Sequence, residues 1–336
     1  MLNVYGQLPD GLLELDAEQL HEILPGPALI HLPGRRPAPL FVSVLLHGNE
    51  ETGWLAAREV LRKYARSGLP RALSLFIGNI AAARYGLRVL DGQPDYNRIW
   101  PGAEASERPE DAMAHQVVDA MRARGVFASI DIHNNTGLNP HYGCVNRLDS
   151  AWLHLATLFS RTVVYFTQPR GVQSAAFAEL CPAVTLECGK PGTPQGVEHA
   201  ATYMDACLHL AEFPQHPVHH QDIDLFHTIA TVKVPEDVHF GFADEGCDIE
   251  FAPDLDHLNF RELQSGAQLG CIHGDRDICL QALDQEGRDM GRRVFDCSGG
   301  QIRLRRPLMP AMLTLDTRVI RQDCLCYLME RMPLPT

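Results

Sequence analysis

Leu40-Phe41-Val42-Ser43-Val44-Leu45-Leu46-His47-Gly48-Asn49-Glu50 is the stretch from which the fold can be read. Its first seven residues are aliphatic, aromatic or β-branched apart from Ser43, the pattern of a strand buried on both faces. A polar turn follows at once. Residues 51–66 then place Trp54, Ala57, Leu61 and Tyr64 at helical spacing, with Gly68 just beyond as a stop. Residues 72–79 read as the next strand.

The alternation continues outward. Residues 80–108 show no clear period, and so long a loop inside a compact domain is usually functional or disordered. Pro109 opens a helix in which Met113, Val117 and Met121 share a face, closed by Gly125. Residues 126–132, 163–166 and 183–186 read as strands. Ser150 heads a helix carrying Trp152, Leu155 and Phe159, and residues 195–212 read as a last helix. This predicts an α/β fold with helices on both faces of a sheet and ligands at the carboxyl ends of its strands. Residues 213–221 hold two prolines and read as a linker. Beyond it, short runs at 229–234, 278–283, 301–304 and 312–315 predict a smaller β-rich domain. The expected division is therefore 1–212 and 213–336.

Composition narrows the function classes. The chain has 336 residues, of which 45% are hydrophobic and 21% charged, and this excludes wholesale disorder. Lys+Arg is 29 against Asp+Glu 42, a formal net charge of −13. A field of that sign repels polyanions, so neither nucleic acid nor an anionic membrane is an expected partner. No apolar run approaches the ~20 residues of a membrane span. The first residues lack the basic head and apolar stretch of a secretory leader. Ten cysteines without a Cys-x-x-Cys suggest free thiols in a reducing cytoplasm. Lys63, Lys190 and Lys233 are the only lysines, so arginine fills most basic positions and a single Arg carries little weight. His216, His219, His220 and His227 cluster near the linker, where a solvated surface is the simpler reading.

Four pieces carry chemistry. His47 ends the first strand and Glu50 lies three residues on, where one helical turn brings both to the same side. His133, in Asp131-Ile132-His133-Asn134, ends another predicted strand. Two His and one Glu form the ligand set of a catalytic zinc site with an open position for water, although the donors also admit other divalent metals. Asp131 could orient His133 from behind. Glu187, in Thr185-Leu186-Glu187-Cys188-Gly189, stands at the end of an apolar strand, where an unpartnered carboxylate is costly. Beside a metal-bound water it could accept a proton and pass it to a leaving amine. Cys188 points to the opposite face and reads as packing. Last, Arg84, Arg88 and Asp95-Tyr96-Asn97-Arg98 lie in the long loop, and Asn97 with Arg98 could hold a substrate carboxylate. Taken singly, each piece also fits a surface pair or an ordinary ion pair.

Taken in order, the pieces resemble the aspartoacylase/succinylglutamate desuccinylase group, a branch of the zinc carboxypeptidase superfamily. The matching residues are His47-Gly48-Asn49-Glu50, Asn97-Arg98 with Pro101-Gly102, Asp131-Ile132-His133-Asn134, Glu187, and Pro194-Gln195-Gly196-Val197. The resemblance spans roughly residues 42–210. It implies a mixed central sheet followed by a β-rich C-terminal domain. It further implies one zinc ion per chain on His47, Glu50 and His133, and Glu187 as general base and acid. By the same resemblance Asn97 and Arg98 bind a substrate carboxylate, and Arg88 is the nearest candidate to polarise the scissile carbonyl. Aspartoacylases also place a Tyr and an Arg shortly before the catalytic Glu. Residues 173–186 contain neither here, and Arg170 is the nearest arginine. N-acetylaspartate is therefore not the expected substrate.

The reading is a cytoplasmic zinc-dependent hydrolase that cleaves an N-acyl amino acid or a small related amide bearing a carboxylate. A carboxypeptidase trimming peptide C-termini, or a non-catalytic zinc or ligand-binding protein, are the alternatives. The C-terminal domain could serve as a lid or as the surface of a homodimer.

Overall fold

The computed structural model describes residues 1–104, 106–242 and 246–334. They form two compact units, one of 1–134 and 141–225 with the C-terminal end, the other of 135–140 and 226–333.

The first unit runs β1 (Asn3–Tyr5), β2 (Ala28–Leu32), β3 (Gly34–Val44), α1 (Thr52–Tyr64), β4 (Leu69–Ile77), α2 (Ile80–Ala83), α3 (Pro109–Ala123), β5 (Ala128–His133), β6 (Tyr142–Val145), α4 (Ser150–Thr157), β7 (Thr162–Tyr165), α5 (Gln173–Ala178), β8 (Ala183–Glu187) and α6 (Pro194–His209). Its strands are ordered β1-β2-β4-β3-β5-β8-β6-β7. Most neighbours are parallel, but β2 with β4 and β6 with β8 are antiparallel, so the sheet is mixed as expected.

Alternation along the central strands sorts side chains to two faces. Val44 and Ile132 pack under α1, where Gly53 leaves no room for a Cβ. Phe41 faces the other way and stacks on Phe177 of α5 at 4.3 Å. Phe76, Trp100, Met113, Val117 and Met121 join that second layer, so the helix expected after Pro109 buries the face its period predicts. Helices therefore cover both faces. The carboxyl ends of β3, β5 and β8 lie side by side, with Ser43 opposite Asp131 and His133 opposite Glu187. Local geometry, not length, brings the four pieces together.

The second unit contains β9 (Asp224–Lys233), which carries the chain into it, β10 (Phe240–Phe242), β11 (Ile249–Phe251), β12 (Gln268–Ile272), β13 (Gln281–Leu283), α7 (Gly291–Val294), β14 (Phe295–Asp296), β15 (Gln301–Leu304), β16 (Met309–Ala311), α8 (Thr317–Gln322) and β17 (Cys326–Arg331). One set pairs in the order β13-β9-β17-β16 and a second in the order β10-β11-β12-β15-β14. Val232, Ile249, Phe251, Phe295, Ile302 and Leu328 are fully buried among them. The β-rich expectation for this part of the chain agrees with the structure.

Three local expectations differ. The stretch 213–221 packs on the first unit, because Phe213 stacks on Phe127 at 5.0 Å and Val218 is buried. By contacts along the chain the second unit takes residues 226–333 and also 135–140. Residues 312–315 are not a strand. Met312 takes a positive φ of 67°, and both backbone polar atoms of Leu313 are bonded by the Asn259 side chain at 2.8 Å. Finally, Cys279 and Cys297 form a disulfide with Cα atoms 5.6 Å apart. A separation of 18 positions hides that pairing in the sequence. No helix among the described residues is long and apolar enough to cross a membrane.

Candidate metal centre and active site

β3 ends at Val44, and Leu45 turns the chain with a φ of 55° that a Leu rarely adopts. The backbone NH of Asn79 donates to the Leu45 carbonyl at 2.6 Å and holds the turn. Gly48 then passes so close to α2 that a Cβ would sit 2.2 Å from the Ala83 nitrogen. Only a glycine fits there, and its NH donates to the Arg88 carbonyl. The result aims His47 and Glu50 together.

Glu50 sits between two imidazoles. Its Oε1 lies 2.8 Å from His47 Nδ1 and its Oε2 2.7 Å from His133 Nδ1. One ligand atom from each of His47, Glu50 and His133 lies within 4.8 Å of the others, and all three residues are buried. Each ring is held from behind by a carboxylate. Asp95 Oδ1 is 3.0 Å from His47 Nε2, and Asp131 Oδ2 is 2.8 Å from His133 Nε2. Asp95, in the Asp95-Tyr96-Asn97-Arg98 stretch of the long loop, is a functional residue beyond those expected from sequence. The signal was present in the Asp-x-Asn spacing, since the Asn97 NH folds back onto Asp95 Oδ1 at 2.7 Å.

The electrostatics follow from that arrangement. Burial and Arg88 disfavour a charged His47, yet Glu50 and Asp95 outweigh them and its pKa is raised. Burial likewise opposes a charged His133, but Asp131 and Glu50 hold its pKa well above the ordinary value. Burial would raise Glu50, and the two histidines instead pull it far down. Asp95 is also held well below the usual carboxylate range, against burial, by His47 and Arg88. The pocket is therefore built to collect positive charge. Two Nδ1 atoms and a carboxylate, with an outer carboxylate fixing each ring, is a donor set that suits a divalent metal such as zinc. A bound cation would replace the protons held between these groups.

The remaining predicted residues lie in different surroundings. Glu187 is 7% exposed and lies opposite His133 in the β5–β8 register, with Tyr142 of β6 on its other side. Arg88 reaches two carboxylates, with nitrogens 3.5 Å from Glu50 Oε1 and 3.2 Å from Asp95 Oδ2. Asn97 is buried, and its Oδ1 accepts from the Gln173 NH at 3.1 Å. That bond turns the Asn97 amide nitrogen toward His133 Nε2, 3.4 Å away. Arg98 is half-buried, donates to the Asn97 carbonyl and contributes positive charge at Asp95. Arg170 is exposed and makes no ion pair among the described residues. Cys188 is fully buried, and burial, followed by Glu187 and Glu50, pushes its thiol well up, so it packs as expected.

A model of the succinylglutamate desuccinylase/aspartoacylase catalytic domain matches residues 39–211, just over half of the chain. The chain belongs to this family. Its members include amide-bond hydrolases, and the matched span contains the whole centre described above. A search of curated proteins finds no match. Among solved structures, succinylglutamate desuccinylase from Chromobacterium violaceum superposes with a TM-score of 0.57 at 18% identity, covering 90% of this chain and 87% of that one. A succinylglutamate desuccinylase/aspartoacylase from Rhodobacter sphaeroides gives 0.59 at 16% identity, covering 90% and 88%. Murine aminoacylase 3 gives 0.55 at 14% identity, covering 89% and 96%. At these identities the likeness is one of fold.

In this family member the stretch preceding Glu187 is committed to packing. Gln173 and Phe177 of α5 are fully buried, one bonded to Ser129 Oγ and the other stacked on Phe41. Residues 173–186 thus bring no cation to the centre.

Proposed function

We propose that the chain is a zinc-dependent deacylase that hydrolyses the amide bond of an N-acyl amino acid or a small related amide bearing a carboxylate. The observation that carries this reading is the convergence of His47 Nδ1, Glu50 and His133 Nδ1, each ring backed by an aspartate. In this reading His47, Glu50 and His133 hold the zinc. Bound there, the ion would supply Lewis acidity and a water whose pKa is drawn toward neutrality.

The protein's own groups account for the rest. Glu187, poised at the strand end beside His133, takes a proton from the attacking water and delivers it to the leaving nitrogen. The Asn97 amide, its oxygen occupied by the Gln173 NH, presents N–H donors to a substrate oxygen. Arg98 adds a charge for the substrate carboxylate, and Arg88 stabilises negative charge developing on the carbonyl oxygen. Arg170, which is exposed, is the further cation assigned to the substrate. The packed stretch 173–186 supports a substrate other than N-acetylaspartate, since a site without polar readers discriminates poorly for a second carboxylate.

The test incubates zinc-loaded protein with a panel of N-acyl amino acids and short peptides, with products followed by mass spectrometry. Wild type should release free amino acids from acyl substrates. Glu187→Gln should be slower by about 10²–10⁴-fold, the usual contribution of a general base, with zinc content unchanged. C-terminal trimming of peptides alone would replace this reading with a carboxypeptidase. No cleavage of either kind, with zinc bound, would favour a non-catalytic binding protein.

A further inference from the structure

Ser43 is the one hydroxyl in the apolar run 40–46, and a buried hydroxyl is unfavourable unless it is bonded. β3 and β5 are parallel, and their register sets Ser43 directly beside Asp131 on the face that carries His133. Both residues are fully buried. Ser43 Oγ donates to Asp131 Oδ1 at 2.6 Å, while the other oxygen, Oδ2, meets His133 Nε2 at 2.8 Å. The alternative acceptor for the hydroxyl, the Ile130 carbonyl, is 3.5 Å away, at the limit of a hydrogen bond.

The two aspartates behind the histidines are held differently. Asp95 is partly exposed, with Arg88 on its Oδ2 and the Asn97 NH on its Oδ1. Asp131 has no lysine or arginine beside it among the described residues, and His133 is its one ion-pair partner there. Its side-chain angle is set by Ser43 on one oxygen and His133 on the other.

We propose that Ser43 is a positioning residue for the metal centre. Its hydroxyl fixes the Asp131 carboxylate, and that carboxylate fixes the ring angle of His133 so that Nδ1 faces the ion. Without the hydroxyl, Asp131 Oδ1 is a buried acceptor with no partner, the carboxylate turns, and His133 loses its rear support. This rests on the metal-site reading above but not on the reaction assigned to it.

The test measures metal binding by the full chain and needs no substrate. Zinc dissociation constants are read by competition with a chromophoric chelator for wild type, Ser43→Ala, Ser43→Thr and Asp131→Ala. Groups behind metal ligands are worth about 10–100-fold in affinity. Ser43→Ala should therefore weaken zinc about 10-fold, and Ser43→Thr, which keeps the hydroxyl, should stay within about 2-fold of wild type. In an Asp131→Ala background, Ser43→Ala should add nothing, because the residue acts through Asp131. The visible spectrum of the cobalt(II)-loaded protein should change with Ser43→Ala and be retained with Ser43→Thr. Should Ser43→Ala not fold, Ser43→Cys, close in size but a weak donor, is read in its place with the same expectation. Wild-type affinity in Ser43→Ala, or a further loss in the Asp131→Ala background, overturns the proposal. A wild type that binds no zinc overturns the metal-site reading and this one with it, whereas a wild type that binds zinc but cleaves nothing overturns only the deacylase reading.

Discussion

Each histidine of the centre uses both ring nitrogens: Nδ1 meets Glu50 and Nε2 meets an aspartate. In the proposed metal centre the tautomer would be fixed, since a metal on Nδ1 would leave the proton on Nε2 pointing at its carboxylate. In that centre Asp95 thereby orients His47 from behind. Asp95→Asn keeps the shape but offers an amide that can face His47 with the wrong atom and removes a partner from Arg88. Zinc affinity should fall about 10–100-fold, the range for such outer carboxylates, as measured by chelator competition. An unchanged affinity would mean that the contact with His47 does not orient the ring. His47, Glu50, His133 and Glu187 were all readable as candidates because each ends an apolar run, where a polar group needs a reason. Asp95 and Ser43 were not assigned roles, because what each touches lies 48 and 88 residues away in the chain.

At the scale of elements, the site depends on how β3 is left. The strand could be recognised from its composition alone, and so could the helix after it. The turn between them could not be drawn from pattern, because it depends on α2 approaching from the long loop. Gly48 records that approach. Gly48→Ala would put a methyl carbon 2.2 Å from a backbone nitrogen, with the Ala82 carbonyl carbon and the Leu87 carbonyl oxygen also within 2.7 Å. Backbone cannot swing aside as a side chain can. The expected cost is about 1–3 kcal/mol or more, as for overpacked sites, read as a lowered urea midpoint. Zinc stoichiometry should fall too, because residues 47–50 must move with the turn. Full stability with full zinc content would show that the loop yields freely. The same long loop illustrates why periodicity fails locally. Residues 80–108 have no repeat because their backbone and side chains are spent on specific bonds, such as the paired amides of Asn79 and Gln93 and the Trp100 indole on the Tyr96 carbonyl.

The whole molecule adds a dependence on pH that is remote from the centre. His31 on β2 is half-buried and bonds Ser74 of β4 through Nδ1 at 2.8 Å. Burial, then the charge of Arg124, lowers its pKa from 6.5 to about 4. Between those two values the unfolded chain binds the proton and the folded chain does not. Stability from this residue is therefore complete above pH 6.5 and is lost as the pH falls toward 4. His31→Gln, which cannot take up that proton, should lose less stability than wild type between pH 7 and 5, compared by urea denaturation. Parallel losses in the two proteins would show that His31 does not titrate across this window. The change to a β-rich C-terminal part was legible, since strand–helix alternation gives way to short strands. The packing of residues 213–221 was not, because Phe213 and Val218 look like linker residues until Phe127 and the first unit's surface are in place.

The α/β class and the β-rich second part could be read from the sequence, and so could His47, Glu50, His133 and Glu187 as candidates. These depend on local information: hydrophobic period, turn residues, and an i, i+3 spacing that places two donors on one side of a turn. Only the folded chain shows which ring nitrogens meet Glu50, that Asp95 stands behind His47, and that Ser43 meets Asp131. It also decided that Cys279 meets Cys297 and that residues 135–140 belong to the second unit. Those facts depend on strand register and on contacts between distant segments. Shifting a strand by one residue would send every side chain to the opposite face while leaving its sequence pattern unchanged.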